Sequence, residues 1–261
     1  MRRKKTPNYK KANFLGGRFW FVILILLVVF GVGVLAVIGW TKFTSMDVFT
    51  LEYIQLEGGS TVCSSEDIMK RINKKNLWEI DLPQLSYKIS RWWWPYFEQV
   101  YIQRQFPDTL KIILVERKPF AQLKLNRFYL ISDSQIVLPP VLTEPHPGYP
   151  VIEGSRVLRS KVGIGELLRD ERISLALKVL DEFRSLGSLF PEYNITSINV
   201  RQPSNIQFYL KGYPVQIRVS QDQLSSAFEI LPELLKRYKE KLAGIEYIDL
   251  RFRRPIIAPR G

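Results

Sequence analysis

The sequence predicts an α+β fold in three parts: an N-terminal transmembrane helix, a strand-helix-helix-strand-strand module, and a mixed or antiparallel β domain with flanking helices. Three observations carry this. Phe19 to Trp40 contains no charged or strongly polar side chain. Residues 48 to 121 switch from alternating to helical hydrophobic spacing and back. From residue 122 onward, short β-rich runs are separated by turn residues and by two long amphipathic segments. The expected organisation is a basic tail at 1–18, the span at 19–40, a linker at 41–47, the first module at 48–121 and a C-terminal domain at 122–261.

At about 1.5 Å per helical residue the apolar run reaches about 33 Å, enough for a hydrocarbon core of about 30 Å. A cleaved leader has a shorter apolar region and small residues at its cleavage site. Here Trp40-Thr41-Lys42-Phe43 follows instead. Phe19 and Trp40 mark the ends, and Trp20 and Trp40 suit the two interfaces, where an indole keeps its N–H wet and its ring in the acyl boundary. Arg2, Arg3, Lys4, Lys5, Lys10, Lys11 and Arg18 precede the span with no acid among them. This asymmetry predicts a cytoplasmic N-terminus and an exported remainder. Nucleic acid is the alternative partner for such a tail, but 18 residues with Pro7, Gly16 and Gly17 do not build a groove-reading domain.

Residues 48–57 alternate and end at Gly58-Gly59, which predicts a strand. Ser64 and Asp67 have capping-box spacing before Ile68 and Ile72. A second helix starts at Asp81, with Pro83 in its first turn and Leu85, Ile89 and Trp92 on one face. Glu98 to Arg104, the turn Phe106-Pro107-Asp108-Thr109 and Leu110 to Glu116 predict a hairpin. Strands are expected at 128–132 and 135–138, followed by a loop from Pro139-Pro140 through Pro150. A helix over 173–186 stops at Gly187, and strands follow at 195–200, 206–210 and 215–219. The helix over 222–242 is kinked by Pro232 and closed by Gly244. A last strand runs from Glu246 to Phe252, and Arg253 to Pro259 extends it along a sheet edge, where a proline is tolerated.

The 38 Lys and Arg against 25 Asp and Glu give a net charge of +13, part of it the orientation signal of the tail. Cys63 is the one cysteine, so no intramolecular disulfide forms. Its place beside a helix start allows either a lowered thiol pKa or an inert packed side chain. His146 is the one histidine and the one candidate imidazole base, but no nucleophile elbow, phosphate-cradling loop or metal-ligand spacing accompanies it. Carboxylate-only chemistry on cell-wall sugar would use acids such as Glu116, Asp133, Glu153 or Asp249. No catalytic, cofactor or metal residue is assigned. Trp92, Trp93 and Trp94 cannot all face one core, since successive helical residues are about 100° apart.

Several segments resemble the bacterial cell division proteins of the FtsQ/DivIB family: Asn76-Leu77-Trp78 with Ile80-Asp81, Pro95-Tyr96-Phe97, Arg104 to Ile112, and Val115 to Ala121. Ser132 to Gln135, Tyr149 to Gly154 and Tyr247 to Phe252 add to the likeness. The resemblance implies a POTRA domain for the first module and a non-enzymatic, single-pass scaffold in the cytoplasmic membrane at the division septum. It further implies that FtsB docks on the last strand and the preceding helix and that the C-terminal domain holds the FtsB/FtsL pair, with FtsW and FtsI as further divisome partners, linking them to septal peptidoglycan synthesis. By this likeness Phe252 is an aromatic anchor, Arg251 a charged rim contact, and Arg253, Arg254, Ile256, Ile257 and Ala258 fall on backbone-pairing positions. A membrane-tethered cell-wall hydrolase and a POTRA-bearing transport or assembly component are the rival readings.

Overall fold

The computed structural model describes residues 14–59, 61–72, 76–158, 160, 162–186 and 193–261. Helix α1 spans Phe14–Thr44. Its stretch Trp20–Thr44 is long and apolar enough to cross a membrane, and none of its 18-residue apolar window is buried in the protein. Polar groups near its end are satisfied locally, with Thr41 Oγ1 donating to Ile38 O at 3.0 Å and Thr44 Oγ1 to Trp40 O at 3.1 Å. The basic tail residues Arg2 to Lys11 and the stop at Gly187 lie outside the described residues. Arg18 and Phe19 fall within α1.

Two compact units follow from the contacts, one made of residues 1–55, 65–82 and 102–112 and the other of 56–64, 83–101 and 113–261. A three-stranded sheet in the order β1-β3-β2 contributes segments to both. Strand β1 is Tyr53–Glu57 and starts later than the alternation from Val48 predicts. Asp47–Phe49 instead makes a single 3-10 turn. The reason is tertiary: Leu77 N–H donates to Phe49 O at 2.9 Å, and Thr50 bridges to Asn76, so these residues are engaged before any strand begins.

Helices α2 (Ser65–Arg71) and α3 (Leu82–Trp92) follow, with Ile68, Leu85 and Ile89 buried as their spacing predicts. Strands β2 (Phe97–Gln105) and β3 (Thr109–Glu116) form the expected hairpin, and Leu110, Ile112 and Leu114 share its buried face. Ser86 Oγ donates to Val100 O at 2.6 Å, fastening α3 to β2.

The larger sheet has nine strands in the order β12-β11-β10-β9-β8-β7-β4-β5-β6. These are β4 (Ala121–Lys124), β5 (Phe128–Ile131), β6 (Val137–Leu142), β7 (Val151–Glu153), β8 (Ile195–Asn199), β9 (Ile206–Leu210), β10 (Gln216–Val219), β11 (Ile245–Asp249) and β12 (Ile256–Pro259). The sheet is mixed: β4–β7, β7–β8 and β10–β11 pair in parallel, and the other neighbours pair antiparallel.

Helices α4 (Glu171–Ser185) and α5 (Leu224–Tyr238) cover the core. Phe183 of α4 and Phe228 of α5 meet Phe208 of β9 at centroid distances of 5.9 and 6.4 Å. Asp170 caps α4 through Oδ1, which accepts from Arg172 N–H at 2.7 Å and Ile173 N–H at 3.3 Å. Such a cap satisfies donors that have no partner inside the helix.

Four further expectations need correction. Pro139 and Pro140 lie inside β6 rather than in a loop, which their lack of N–H permits because β6 is an outer strand. Strands β4 and β7 are additional. The helix expected over 222–242 is α-helical only from Leu224 to Tyr238, with Pro232 inside it, and continues to Gly244 as 3-10 turns. The chain after Asp249 does not extend β11: it turns over residues 250–255 and returns as β12, antiparallel to it.

Candidate partner-binding edge

Strand β12 is the outermost strand of the larger sheet and, among the described residues, pairs with β11 alone, Asp249 opposite Ile256, Ile248 opposite Ile257 and Tyr247 opposite Ala258. The direction of each peptide follows from alternation along the strands. Leu250 N–H donates across to Arg218 O of β10 at 2.8 Å, and Arg260 N–H donates to Gly244 O at 2.8 Å. Asp249 and Tyr247 therefore turn their peptide groups toward β12, and Ile256 and Ala258 return them. Ile257 presents its N–H and C=O to the open side, flanked by Pro255 and Pro259, which have no N–H. The open edge thus offers one donor and several acceptors.

Phe252, at 52% exposure, and Ile256, at 47%, stand out beside that edge, whereas Ile257 packs part of its side chain against the core. Arg253 and Arg254 are exposed in the turn. Arg251 is fixed: its Nε and Nη2 reach the Asp249 carboxylate at 2.9, 3.2 and 2.6 Å, and its backbone N–H donates to Asp249 Oδ1 at 3.1 Å. Asp249 is 97% buried, being only 3% exposed. Burial pushes its carboxyl up, but the Arg251 hydrogen bonds and charge, aided by Arg218, outweigh this and hold it below the ordinary aspartate value. The Asp249 hydrogen bond in turn raises Arg251. The guanidinium lies 5.5 Å from the Phe252 ring. The fork therefore braces the turn that projects Phe252, a bidentate arrangement that fixes direction as well as charge.

The candidate catalytic residues are placed differently. His146 Nδ1 accepts from Gly148 N–H at 3.0 Å, and its ring lies 5.0 Å from Tyr149. Gln122, fully buried on β4, donates through Nε2 to His146 O at 2.8 Å and Tyr149 O at 2.6 Å and accepts from His146 N–H at 2.9 Å. Among the described residues, the cleft beside His146 is lined by no carboxylate. Glu153 pairs with Lys124 at 2.7 Å, and Asp133 accepts from Ser134 N–H at 2.6 Å. Cys63 is buried. Among the described residues no three His, Cys, Asp or Glu side chains converge as a metal site would need.

Of the three consecutive tryptophans, Trp94 donates through Nε1 to Gly165 O at 3.0 Å and has Arg117 5.5 Å from its ring. Trp92 and Trp93 meet edge to face at 5.9 Å. Gly165 sits at φ +84°, and a Cβ there would lie 2.6 Å from Trp94 Nε1. Only glycine combines that backbone angle with so close an indole. Sequence patterning singles out the three tryptophans together but neither Trp94 among them nor its acceptor, 71 residues away.

One apolar helix near the N-terminus, a small strand-helix-helix-strand-strand module and a mixed sheet ended by an edge strand define the architecture of a single-pass membrane protein. The model of the FtsQ-type POTRA domain matches residues 49–117, and that of the C-terminal region of the cell division protein FtsQ/DivIB matches residues 120–251, half of the chain. The chain belongs to the FtsQ/DivIB family. It is 26% identical to cell division protein FtsQ of Syntrophotalea carbinolica, covering 98% of this chain and 92% of that one. It is 26% identical to cell division protein DivIB of Clostridium botulinum, covering 96% and 91%. FtsQ of Geotalea daltonii matches at 22% identity over 99% and 94%. The family match ends at Arg251, so Phe252 and β12 lie beyond it.

Proposed function

We propose that this protein is a non-catalytic scaffold of the bacterial divisome that captures FtsB and FtsL by strand addition at β12 and links them to the septal peptidoglycan synthesis carried out with FtsW and FtsI. The POTRA-like module, at 48–121, localises it to the septum, with residues 122–261 as the capturing domain and the tail, Arg2 to Arg18, in the cytoplasm. The observation that supports this is the open side of β12, where an extended segment gains backbone hydrogen bonds at Ile257 and at the carbonyls beside it, and side-chain contacts at Phe252 and Ile256. Arg251, already held by Asp249, gives the site a fixed positive rim.

The test is capture of purified FtsB and FtsL by the chain lacking residues 253–261, by Ile257→Pro, which removes the one outward donor, and by Phe252→Ala. Loss of capture with retained thermal unfolding of the rest supports the proposal. Unchanged capture by all three variants overturns it.

A further inference from the structure

Trp20 and Trp40 are separated by about 30 Å of α1 at about 1.5 Å per residue, which matches the thickness of a hydrocarbon core. With these indoles at the two interfaces, Trp40 sits at the boundary between acyl chains and headgroups. Rings of the first unit continue from Trp40 in a connected cluster. Trp78 lies 5.6 Å from Trp40, and Phe106, at the tip of the β2–β3 hairpin, lies 4.7 Å from Trp78. Phe43 and Phe49 close the cluster at 5.1 Å from each other, with Phe49 5.8 Å from Phe106.

The cluster has a dry side and an open one. Trp40, Phe43, Met46, Val48 and Phe106 are 45–63% exposed, a patch continuous with the exposed apolar surface of α1. Its position relative to the helix is fixed by hydrogen bonds. Asn76 Nδ2 donates to Thr44 O at 2.9 Å, satisfying one of the carbonyls that a helix end leaves without a partner. The Asn76 Oδ1 accepts from Trp78 N–H at 2.9 Å, and Arg104 on β2 donates to Leu77 O at 2.8 Å and Ile80 O at 2.7 Å. The hairpin tip and the helix end are thus tied to one loop.

We infer that the first unit rests on the membrane that α1 crosses, with Met46, Val48 and Phe106 inserted at the acyl–headgroup boundary beside Trp40. Lipid is the occupant because the patch is continuous with a lipid-facing helix, joins Trp40 at the end of the span and consists of the aromatic and apolar side chains that boundary favours. Lys42 and Asp47 flank it with opposite charges, so the contact depends on apolar burial and not on anionic lipid. This holds on whichever side of the membrane the unit lies, and therefore stands apart from the divisome reading.

The full chain is reconstituted in nanodiscs of phosphatidylethanolamine and phosphatidylglycerol, with Cys63→Ala and a single bimane-labelled cysteine from Val48→Cys or Phe106→Cys. Leu35→Cys is the reference inside the span. Shallow-doxyl lipid quenches both labels about two-fold more than deep-doxyl lipid, and aqueous iodide quenches them weakly. The result is unchanged by salt or by phosphatidylglycerol content. Strong iodide quenching without lipid quenching overturns the inference. Protection from both quenchers also overturns it, since a second copy or another protein then covers the patch. Val48 makes none of the ring contacts above, so its replacement gives a readout even where Phe106→Cys fails to fold.

Discussion

Replacing Arg251 by alanine removes the two guanidinium nitrogens that hold Asp249 at 2.6 to 3.2 Å and leaves a 97% buried carboxylate with a single backbone donor, Arg251 N–H, among its hydrogen bonds described above. Hydrogen bonds to a charged group contribute about 1.5–3 kcal/mol each, and breaking a fully buried pair costs about 3–5 kcal/mol. The Arg251 side chain is 26% exposed, so water screens part of the interaction. A loss of about 2 kcal/mol is expected, which lowers the Tm of a domain of this size by about 4–8 °C.

The pH dependence has a definite sign. Asp249 is held below its unfolded value of about 3.9. Its contribution is therefore fully present above about pH 4 and is lost as pH falls through the lower, folded value. Denaturant unfolding of the parent protein and of Arg251→Ala, followed from pH 7 down to pH 3, should show curves that differ at neutral pH and draw together as the pH falls below about 4. A neutral-pH difference below about 0.5 kcal/mol, the size of an ordinary surface substitution, refutes the assignment of Arg251 as the brace of this turn.

Three further substitutions probe the framework. Phe208→Ala empties the contact between β9 and the two helices and is expected to destabilise the larger sheet by about 3–5 kcal/mol in denaturant unfolding. Asp170→Ala removes the α4 cap and the acceptor for Arg156 N–H at 2.7 Å, a loss of about 1–2 kcal/mol of which Asp170→Asn restores only the cap, since its amide nitrogen cannot accept from Arg156. Gly165→Ala forces Trp94 aside and strains a positive φ, so a loss of about 1–3 kcal/mol should accompany a shift in tryptophan emission.

Local signals were strongest where one helix or hairpin settles its own conformation. The spacing of Leu85 with Ile89, of Leu110 with Ile112 and Leu114, and of Leu224 with Phe228 and Leu231 identifies buried faces directly. Strand β4 is different, because Gln122 interrupts the apolar pattern yet is fully buried, its amide satisfied by the backbone of a loop more than twenty residues on. Strand β7 is three residues long and owes its existence to parallel neighbours β4 and β8, contacts that no local period encodes. At the candidate site, Pro255 correctly marks an edge. The reversal before it passes through Phe252, Arg253 and Arg254, none of them a usual turn former, so it reads as continuing strand. What directs the reversal is Asp249, whose burial and pairing with Arg251 belong to the folded sheet.

The prolines on either side of Ile257 also determine what β12 will not do. Two copies meeting edge to edge would bring together rows of carbonyls with only the Ile257 N–H from each to answer them. Most of those acceptors would be dried without a donor, a loss that backbone pairing elsewhere in the row does not offset. A segment with an unbroken series of amide protons answers those acceptors, and only its own carbonyls opposite Pro255 and Pro259 find no donor there. The terminal strand is thus polarised as an acceptor.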